Sequence, residues 1–328
     1  MRGVRPMSDE DADWFESAVE ERVKEANDGE AASGSNGETA AADPASDGEI
    51  GGASSPDDPG MDFATAFQNA PSPGDFGDSP ATGSMGTDFE NEDFESDIPR
   101  IDIGIDGLDA MIQGGIPQRS LMVALGDAGT GKTTFALQFL VHGLEQDERA
   151  VFIALEENRE RIIDTADEKG WDFSDFVSTG QLAVVDLDPV EMANSLTSIR
   201  SELPGLVSDF GATRVVLDSV SLLEMMYDDQ ATRRNEIYDF TTSLKAAGVT
   251  TMLTSEAAKT TPHRSRFGII EHLTDAVLVL RYVRPDDFRE TRLAVEIQKI
   301  RDANHSRELK PYEITDEGIS VYRQANIF

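Results

Sequence analysis

The amino-acid sequence predicts an α/β fold, with a mainly parallel sheet between helices and antiparallel strands towards the C-terminus. Three observations predict this class. A glycine-rich stretch, residues 126–134, stands between a buried apolar run and a helical pattern. Apolar runs and helical patterns then alternate with short connections, which is typical of a parallel sheet covered by helices on both faces. After Thr274 the helical patterns stop, and the strand-like runs that follow indicate an antiparallel extension of the same sheet.

The chain divides into an acidic N-terminal tail, residues 1–97, and a predicted folded domain, residues 98–328. The tail holds 25 of the 63 acidic residues but only 4 of the 28 basic ones, so its net charge is −21 and the remainder carries −14. Residues 28–97 are rich in Gly, Ala, Ser, Pro and acid, and we expect them to be disordered. Residues 8–27 place a narrow apolar stripe along a possible amphipathic helix, which would need a partner surface.

Composition limits the class of protein. The acidic, lysine-poor surface persists in the predicted domain and indicates adaptation to high salt, although an ordinary acidic protein remains the alternative. There is no cysteine, which excludes disulfides and thiol chemistry. No apolar run reaches membrane-spanning length and no signal-peptide hydrophobic region begins the chain. We therefore expect a soluble, cytoplasmic protein without membrane insertion.

The elements of residues 98–328 follow from the spacing of apolar residues. Strands are predicted at residues 120–125, 150–155, 182–187, 214–218, 250–254, 276–283 and 292–300, with shorter runs near Ile314 and Val321. Helices are predicted directly after residue 134 and at residues 159–169, 191–203 and 233–247.

Residues 126–134 fit the phosphate-binding pattern G-x-x-x-x-G-K-[ST]. Glycines let backbone N–H groups converge on phosphate oxygens, and the following helix N-terminus favours negative charge. Lys132 is expected to reach the β- and γ-phosphates, and the Thr133 hydroxyl to bind Mg²⁺. The loop residues expected to contact the nucleotide are Gly126, Asp127, Ala128, Gly129, Thr130, Gly131, Lys132, Thr133 and Thr134.

Acidic residues follow two other predicted strands. Asp218 ends an apolar run and fits a Walker B carboxylate that holds Mg²⁺, usually through water. Glu156 and Glu157 come directly after the strand at 150–155, where a carboxylate can polarise a water for in-line attack. Side chains of adjacent residues point to opposite sides, so we expect only one of the pair to face the nucleotide.

An ordered set of motifs resembles the RecA superfamily and, within it, the single-domain archaeal relatives of the clock ATPase KaiC. The resemblance spans about residues 98–323 and implies a RecA-like P-loop NTPase core that binds ATP and Mg²⁺, from a salt-adapted archaeon. The motifs are Leu108-Asp109, Gly114-Gly115-Ile116-Pro117, the phosphate loop, Glu156-Glu157, Asp218-Ser219 and Thr254-Ser255-Glu256.

The resemblance also implies roles for individual residues. The paired glutamates of the family serve as the hydrolytic base region, which assigns Glu156 and Glu157 to that role. Residues 295–301 are similar to the family's strand whose Lys and Arg reach a neighbouring subunit's nucleotide. Lys299 and Arg301 are two apart, so both side chains should leave the same face of the strand. The implied assembly is a ring, a homo-hexamer with nucleotide between subunits.

The sequence departs from the clock proteins at two adjacent positions that matter. Glu271 and His272 stand shortly before the Thr-Asp step, where the clock's second domain carries its Ser-Thr phosphoacceptor pair. Clock-type autokinase activity is therefore not expected, and with one domain instead of two a timekeeping role does not transfer.

Three functions remain open. The first is an ATP-hydrolysing oligomeric switch that presents its N-terminal tail to an unknown signalling partner. The second is a recombinase-paralogue ATPase binding single-stranded DNA, for which residues 259–266 supply cations, although a net charge of −35 repels phosphate. The third is a scaffold that binds ATP with little turnover.

Overall fold

The computed structural model describes residues 14–33, 97–284 and 291–323, and within these ranges its centre is a sheet of ten strands. The strands of this sheet and of a small two-stranded sheet are β1 (Arg100–Ile101), β2 (Ile116–Pro117), β3 (Leu121–Gly126), β4 (Ala150–Ala154), β5 (Leu182–Asp186), β6 (Arg214–Asp218), β7 (Thr250–Ala258), β8 (Thr261–Ser265), β9 (Ala276–Val283), β10 (Arg292–Ile300), β11 (Lys310–Thr315) and β12 (Gly318–Val321). The helices are α1 (Trp14–Ser33), α2 (Asp106–Asp109), α3 (Lys132–Leu144), α4 (Arg159–Asp167), α5 (Phe173–Ser178), α6 (Pro189–Asn194), α7 (Leu196–Phe210), α8 (Val220–Met225), α9 (Gln230–Ala246) and α10 (Ile270–Leu273).

Nine strands lie in the order β12-β11-β10-β9-β3-β7-β6-β4-β5, and β8 pairs with the end of β7. The strands from β5 to β9 along this order are parallel, whereas β10, β11 and β12 are antiparallel to their neighbours. The predicted fold class is confirmed, with one correction. We expected every strand after Thr274 to be antiparallel, but β9 runs parallel to β3. A parallel neighbour needs a long crossover, which the 17 residues between Ala258 and Ala276 provide.

Each face of the sheet is covered by helices, so two apolar layers form the core. Along β3, Met122 faces the layer that contains α3, α4 and α5, while its neighbours Leu121 and Val123 face the layer that contains α1, α6, α7, α8 and α9. This alternation is what a strand buried on both faces requires. β3, which ends at the glycine-rich turn, is therefore fully buried between β9 and β7.

The apolar face of the N-terminal helix, α1, packs against α7 of the same chain. The sequence predicts a helix over residues 8–27; residues 8–13 lie outside the described ranges, and α1 runs from Trp14 to Ser33. Phe15 is fully buried, and its ring centroid lies 5.2 Å from that of Phe210 on α7. The Glu16 carboxylate accepts a hydrogen bond from Val184 N of β5 at 3.1 Å, so α1 also covers the open edge of the sheet. Neither α1 nor any other described helix is long and apolar enough to span a membrane.

Three local predictions differ from the structure. The helix predicted at residues 191–203 is two helices, α6 and α7, which meet at Ser195. The strand predicted at residues 250–254 continues to Ala258 and turns back as β8, a hairpin that the sequence did not indicate. Disorder was predicted for residues 28–97; residues 28–33 belong to α1, and residues 34–96 lie outside the described ranges.

Candidate functional site

The glycine-rich stretch forms the turn between β3 and α3. Gly131 precedes the first helical residue and has a φ of +81°, a conformation that side chains other than hydrogen disfavour. A Cβ on Gly126 would lie 2.4 Å from the Thr130 hydroxyl oxygen, so the end of the strand also has room only for glycine. The turn leaves the N-terminus of α3 open at the carboxyl edge of the sheet, an arrangement that binds phosphate.

Side chains and carbonyls of the loop hold each other in place. The Thr130 hydroxyl donates to Asp127 O at 2.8 Å. Lys132 Nζ donates to Gly126 O at 3.1 Å and to Asp127 O at 3.2 Å, so the ammonium lies over the turn. The predicted loop residues therefore surround one concave turn, with Asp127, Ala128 and Gly129 exposed, Thr130 buried, and Gly131, Lys132, Thr133 and Thr134 half-buried.

Asp218, the last residue of β6, lies beside this turn and contacts Thr133. Its carboxylate accepts a hydrogen bond from Thr133 Oγ1 at 2.6 Å and another from the hydroxyl of Thr254, which lies on the intervening strand β7. Burial raises the pKa of Asp218, and the two threonine hydrogen bonds and the Lys132 charge oppose that rise. The sequence predicted that Thr133 and Asp218 would each help to hold Mg²⁺, but it assigned no role to Thr254.

These oxygen donors fit Mg²⁺. The ion prefers hard oxygen ligands and keeps several waters, so one hydroxyl and one nearby carboxylate suffice when phosphates supply the rest. Within the described ranges, no group of three or more His, Asp or Glu side chains could hold a metal by itself. Thr133 and Asp218 would therefore hold Mg²⁺ only together with a nucleotide.

Glu156 and Glu157 follow β4, whose Ala154 pairs with Asp218 in the sheet register. Ser219 Oγ donates to Glu156 Oε1 at 2.5 Å. Glu157 lies 3.4 Å from Arg161, and its charge is close enough to contribute to the raised pKa of Asp218, after burial. The fold brings both carboxylates close to Asp218 and Ser219, at the carboxyl ends of β4 and β6, and the expectation that only one of them faces the nucleotide stays a prediction.

Lys299 and Arg301 lie at the other end of the strands, beside the amino ends of β9 and β3, whereas the glycine-rich turn follows the carboxyl end of β3. Lys299 pairs with Val277 near the start of β9, and Arg301 N donates to Asp275 O. The starts of β9 and β3 are neighbours, whereas the glycine-rich turn follows the other end of β3. At a rise of about 3.3 Å per residue, the length of β3 places the pair about 17 Å from the turn. They cannot serve the nucleotide of their own chain.

The expected geometry of this pair needs one correction. We predicted that both side chains would leave one face of the strand, but the pairing of β10 shifts between Ile297 and Lys299 and the strand ends at Ile300. Lys299 Nζ donates to Glu271 O at 2.9 Å and Thr274 O at 2.7 Å. Burial, and then the neighbouring charge of Arg301, lowers the pKa of Lys299. Arg301 is thus the more exposed and projecting member of the pair.

Two tyrosines and an isoleucine beside the glycine-rich turn were not predicted as site residues. Tyr312 on β11 donates to Thr130 O at 2.6 Å, and a Cβ on Gly129 would meet the Tyr282 hydroxyl at 2.8 Å. A Cβ on Gly131 would meet Ile314 at 2.7 Å. The sequence placed two of these residues near terminal strands, but nothing in it indicated that those strands lie against the turn.

Comparison with known proteins agrees with this architecture. The family model described as "ATPase: KaiC" matches residues 101–326. The circadian clock oscillator protein KaiC of Acaryochloris marina is 33% identical over 240 residues, which cover 71% of this chain and 46% of that protein. The corresponding protein of Synechococcus elongatus is 32% identical over 248 residues, covering 74% of this chain and 47% of that protein. The chain thus spans about half the length of the curated relatives it matches.

A solved structure shows the same fold. The crystal structure of a KaiC-like protein from Pyrococcus horikoshii matches with a TM-score of 0.61 at 33% sequence identity, covering 69% of this chain and 99% of that one. The resemblance to KaiC-like proteins inferred from the motifs is confirmed, whereas the salt-adapted origin stays a prediction. The chain belongs to the KaiC family of ATPases.

Proposed function

We propose that this chain hydrolyses ATP with Mg²⁺ and acts as a nucleotide-dependent oligomeric switch. The observation that carries the proposal is the contact at 2.6 Å between Thr133 of the glycine-rich turn and Asp218 of β6. Asp218 is 4% exposed, and a buried carboxylate is unfavourable unless hydrogen-bond donors or cations surround it. A cation bound beside phosphate would supply positive charge next to this carboxylate.

The roles of the residues follow from their positions. Backbone N–H groups of residues 126–134 and the Lys132 ammonium would bind the phosphates. Thr133 and Asp218 would hold Mg²⁺, which supplies positive charge beside the β- and γ-phosphates. Glu156 or Glu157 would accept a proton from the attacking water while the bond from the γ-phosphorus to its bridging oxygen breaks. Their common position close to Asp218 supports either assignment.

Phosphoryl transfer is often assisted by a further cation besides Mg²⁺ and the lysine of the phosphate loop. Lys299 and Arg301 lie at the wrong end of the strands to supply that cation to the nucleotide of their own chain, which supports an oligomer. A head-to-tail ring would bring these residues to the glycine-rich turn of the next subunit. We propose a homo-hexamer with nucleotide between subunits.

The switch would act through a protein partner in the cytoplasm. The apolar face of α1 is already buried against α7, since Phe15, Val19 and Val23 are at most 3% exposed. The partner would therefore bind the acidic stretch between Ser33 and Ile98 instead of that face. Clock-type autokinase activity is not part of the proposal, because Glu271 and His272 occupy the corresponding positions.

Single-stranded DNA binding finds less support. The loop joining β7 to β8 and the residues after it were the candidate cationic segment, and there Arg266 pairs with Glu256 at 3.1 Å. Lys259 and Arg264 are exposed, but two cations are few against a net charge of −35. DNA binding and a scaffold with little turnover are kept as outcomes of the test.

The test is phosphate release from ATP in molar KCl, with and without Mg²⁺ and single-stranded DNA, for the wild-type chain, Glu156→Gln, Glu157→Gln and the double variant. We expect Mg²⁺-dependent turnover that ignores DNA and is abolished in the double variant, and the single variants assign the base. Turnover only with DNA would favour the recombinase-like function. Tight ATP binding without phosphate release would favour the scaffold.

A further inference from the structure

Asp275 lies just before β9, and its carboxylate contacts two cations, Lys245 and Arg301, as well as the first residue of β3, the strand that ends at the glycine-rich turn. Its Oδ1 atom lies 2.8 Å from Lys245 Nζ and 3.3 Å from Arg301 Nη1. Its Oδ2 atom accepts a hydrogen bond from Leu121 N, the first residue of β3, at 3.0 Å. One carboxylate thus holds two cations and the backbone of β3 at the amino edge of the sheet.

The cations of this cluster are Lys245, Lys299 and Arg301. The side chain of Arg301 is 53% exposed and that of Lys245 is 33% exposed, whereas the Asp275 carboxylate between them is 19% exposed. Lys299 donates to the backbone carbonyls of Glu271 and Thr274, and no ion pair joins it to a carboxylate of the described residues. Asp275 cancels one of the three positive charges, so the four side chains together carry a charge of about +2 in a strongly acidic protein.

We propose that Lys245 is a positioning residue whose charge offsets that of Asp275, so that Asp275 can orient Arg301 towards a neighbouring subunit's nucleotide without neutralising it. This inference rests on the proposed function, in which Arg301 acts in trans.

The physical reason is the sharing of one carboxylate. The hydrogen bond from Arg301 Nη1 to Asp275 Oδ1, at 3.3 Å, limits the directions that the guanidinium can take, while the Arg301 side chain stays 53% exposed. The same pairing with Asp275 would also neutralise the positive charge of Arg301, which is proposed to stabilise the γ-phosphate of the neighbouring subunit's nucleotide. With Lys245 on the same oxygen, Asp275 keeps its geometric hold on Arg301 while its negative charge is offset locally. Lys245 lies in the last turn of α9, and its side chain is 33% exposed.

The test separates charge from structure with four variants. Lys245→Arg keeps the charge, and Lys245→Gln keeps a hydrogen-bond donor but loses the charge. Asp275→Asn removes the charge that Lys245 is proposed to offset, and Lys245→Gln/Asp275→Asn restores the wild-type net charge of the cluster. Each is measured for kcat and KM in ATP hydrolysis and for nucleotide-induced assembly, by sedimentation velocity with a non-hydrolysable ATP analogue.

We expect Lys245→Arg to stay close to wild type and Lys245→Gln to lose about 10-fold in kcat with little change in KM, because orientation and charge act in the transition state. The Lys245→Gln/Asp275→Asn variant restores the net charge but not the carboxylate that holds Arg301, so it should recover only part of the lost kcat and of the lost assembly. A Lys245→Gln variant that loses stability in urea unfolding while its kcat and assembly stay at the wild-type values would overturn the inference, because Lys245 would then be a merely structural partner of Asp275.

Two controls, Arg200→Gln and Arg301→Gln, distinguish a failure of the inference about Lys245 from a failure of the proposed function of Arg301 in trans. Arg200 is also shared by two carboxylates, Glu236 at 2.9 Å and Asp239 at 3.2 Å, in the helical layer, and Arg200→Gln should leave kcat unchanged. If Arg301→Gln itself retains full kcat and assembly, the proposed function in trans is wrong. If Arg301→Gln loses about 1000-fold but Lys245→Gln loses nothing, only the present inference fails. If the chain binds ATP without hydrolysing it, the sedimentation measurement of nucleotide-induced assembly is the readout that tests the inference about Lys245.

Discussion

The carboxyl group of Glu224 should make the stability of this protein depend on pH. Glu224 lies on α8 directly after the Asp218 strand and is fully buried, and neither carboxylate oxygen has a hydrogen-bond partner among the described residues. Burial, and then the nearby charge of Glu271, raises its pKa from 4.5 to about 8, against the opposing charge of Arg233. The folded state therefore binds a proton that the unfolded state releases.

The sign and size of the effect follow from this shift. Between pH 4.5 and about pH 8 the folded chain binds more protons at Glu224 than the unfolded chain does, so stability falls as the pH rises through this window. From pH 6 to pH 9 the two pKa values give a loss of about 2.5 kcal/mol in the free energy of unfolding. Glu224→Gln cannot ionise and should not show this loss.

Urea unfolding at several pH values between 6 and 9 measures the difference between wild type and Glu224→Gln. We expect the stability of the variant relative to wild type to rise by about 2.5 kcal/mol across the range. Glu160→Gln, on the exposed surface of α4, is the matched control and should run parallel to wild type. Parallel curves for Glu224→Gln as well would refute the reasoning.

Three further predictions concern the docking of α1 and the glycine-rich turn. Phe15→Ala should cost about 3 kcal/mol and accelerate amide hydrogen exchange in β5, whereas Tyr238→Ala, 55% exposed, should do neither. Gly131→Ala should abolish binding of a fluorescent ATP analogue with the circular dichroism spectrum retained, because φ is +81° and the added Cβ would meet Ile314; retained affinity would contradict the assignment of the turn. Tyr312→Phe removes the hydrogen bond to Thr130 O and should weaken ATP binding about 5-fold, corresponding to about 1 kcal/mol; an unchanged Kd in titration would show that the bond does not support the site.

Much of the fold could be predicted because the parallel strands are buried on both faces. Runs such as those of β6 and β9 then read as continuous apolar stretches with clear ends. The direction of β9 could not be predicted, because its crossover uses a hairpin and one short helix in place of a long amphipathic one. The partner surface of α1 was equally hidden, since a stripe of apolar residues does not say what covers it.

The phosphate-binding turn and Asp218 were predictable because their chemistry requires fixed residue types at fixed spacing. Contacts made between distant parts of the chain were not. Thr254 and Tyr312 reach the turn only through the sheet order, and Glu224 looks like a solvated helix residue until its burial is known. The bulge in β10 likewise changes where Lys299 and Arg301 point, and sequence spacing does not reveal a bulge.

The most direct test of a site shared between subunits is a mixing experiment. The Glu156→Gln/Glu157→Gln variant and the Arg301→Gln variant should each be inactive alone. Mixed in equal amounts and allowed to exchange subunits, they should recover about one quarter of the wild-type rate of phosphate release, because one site in four then combines intact glutamates with an intact Arg301. A mixture as inactive as its components, in particles shown to contain both variants, would contradict the account.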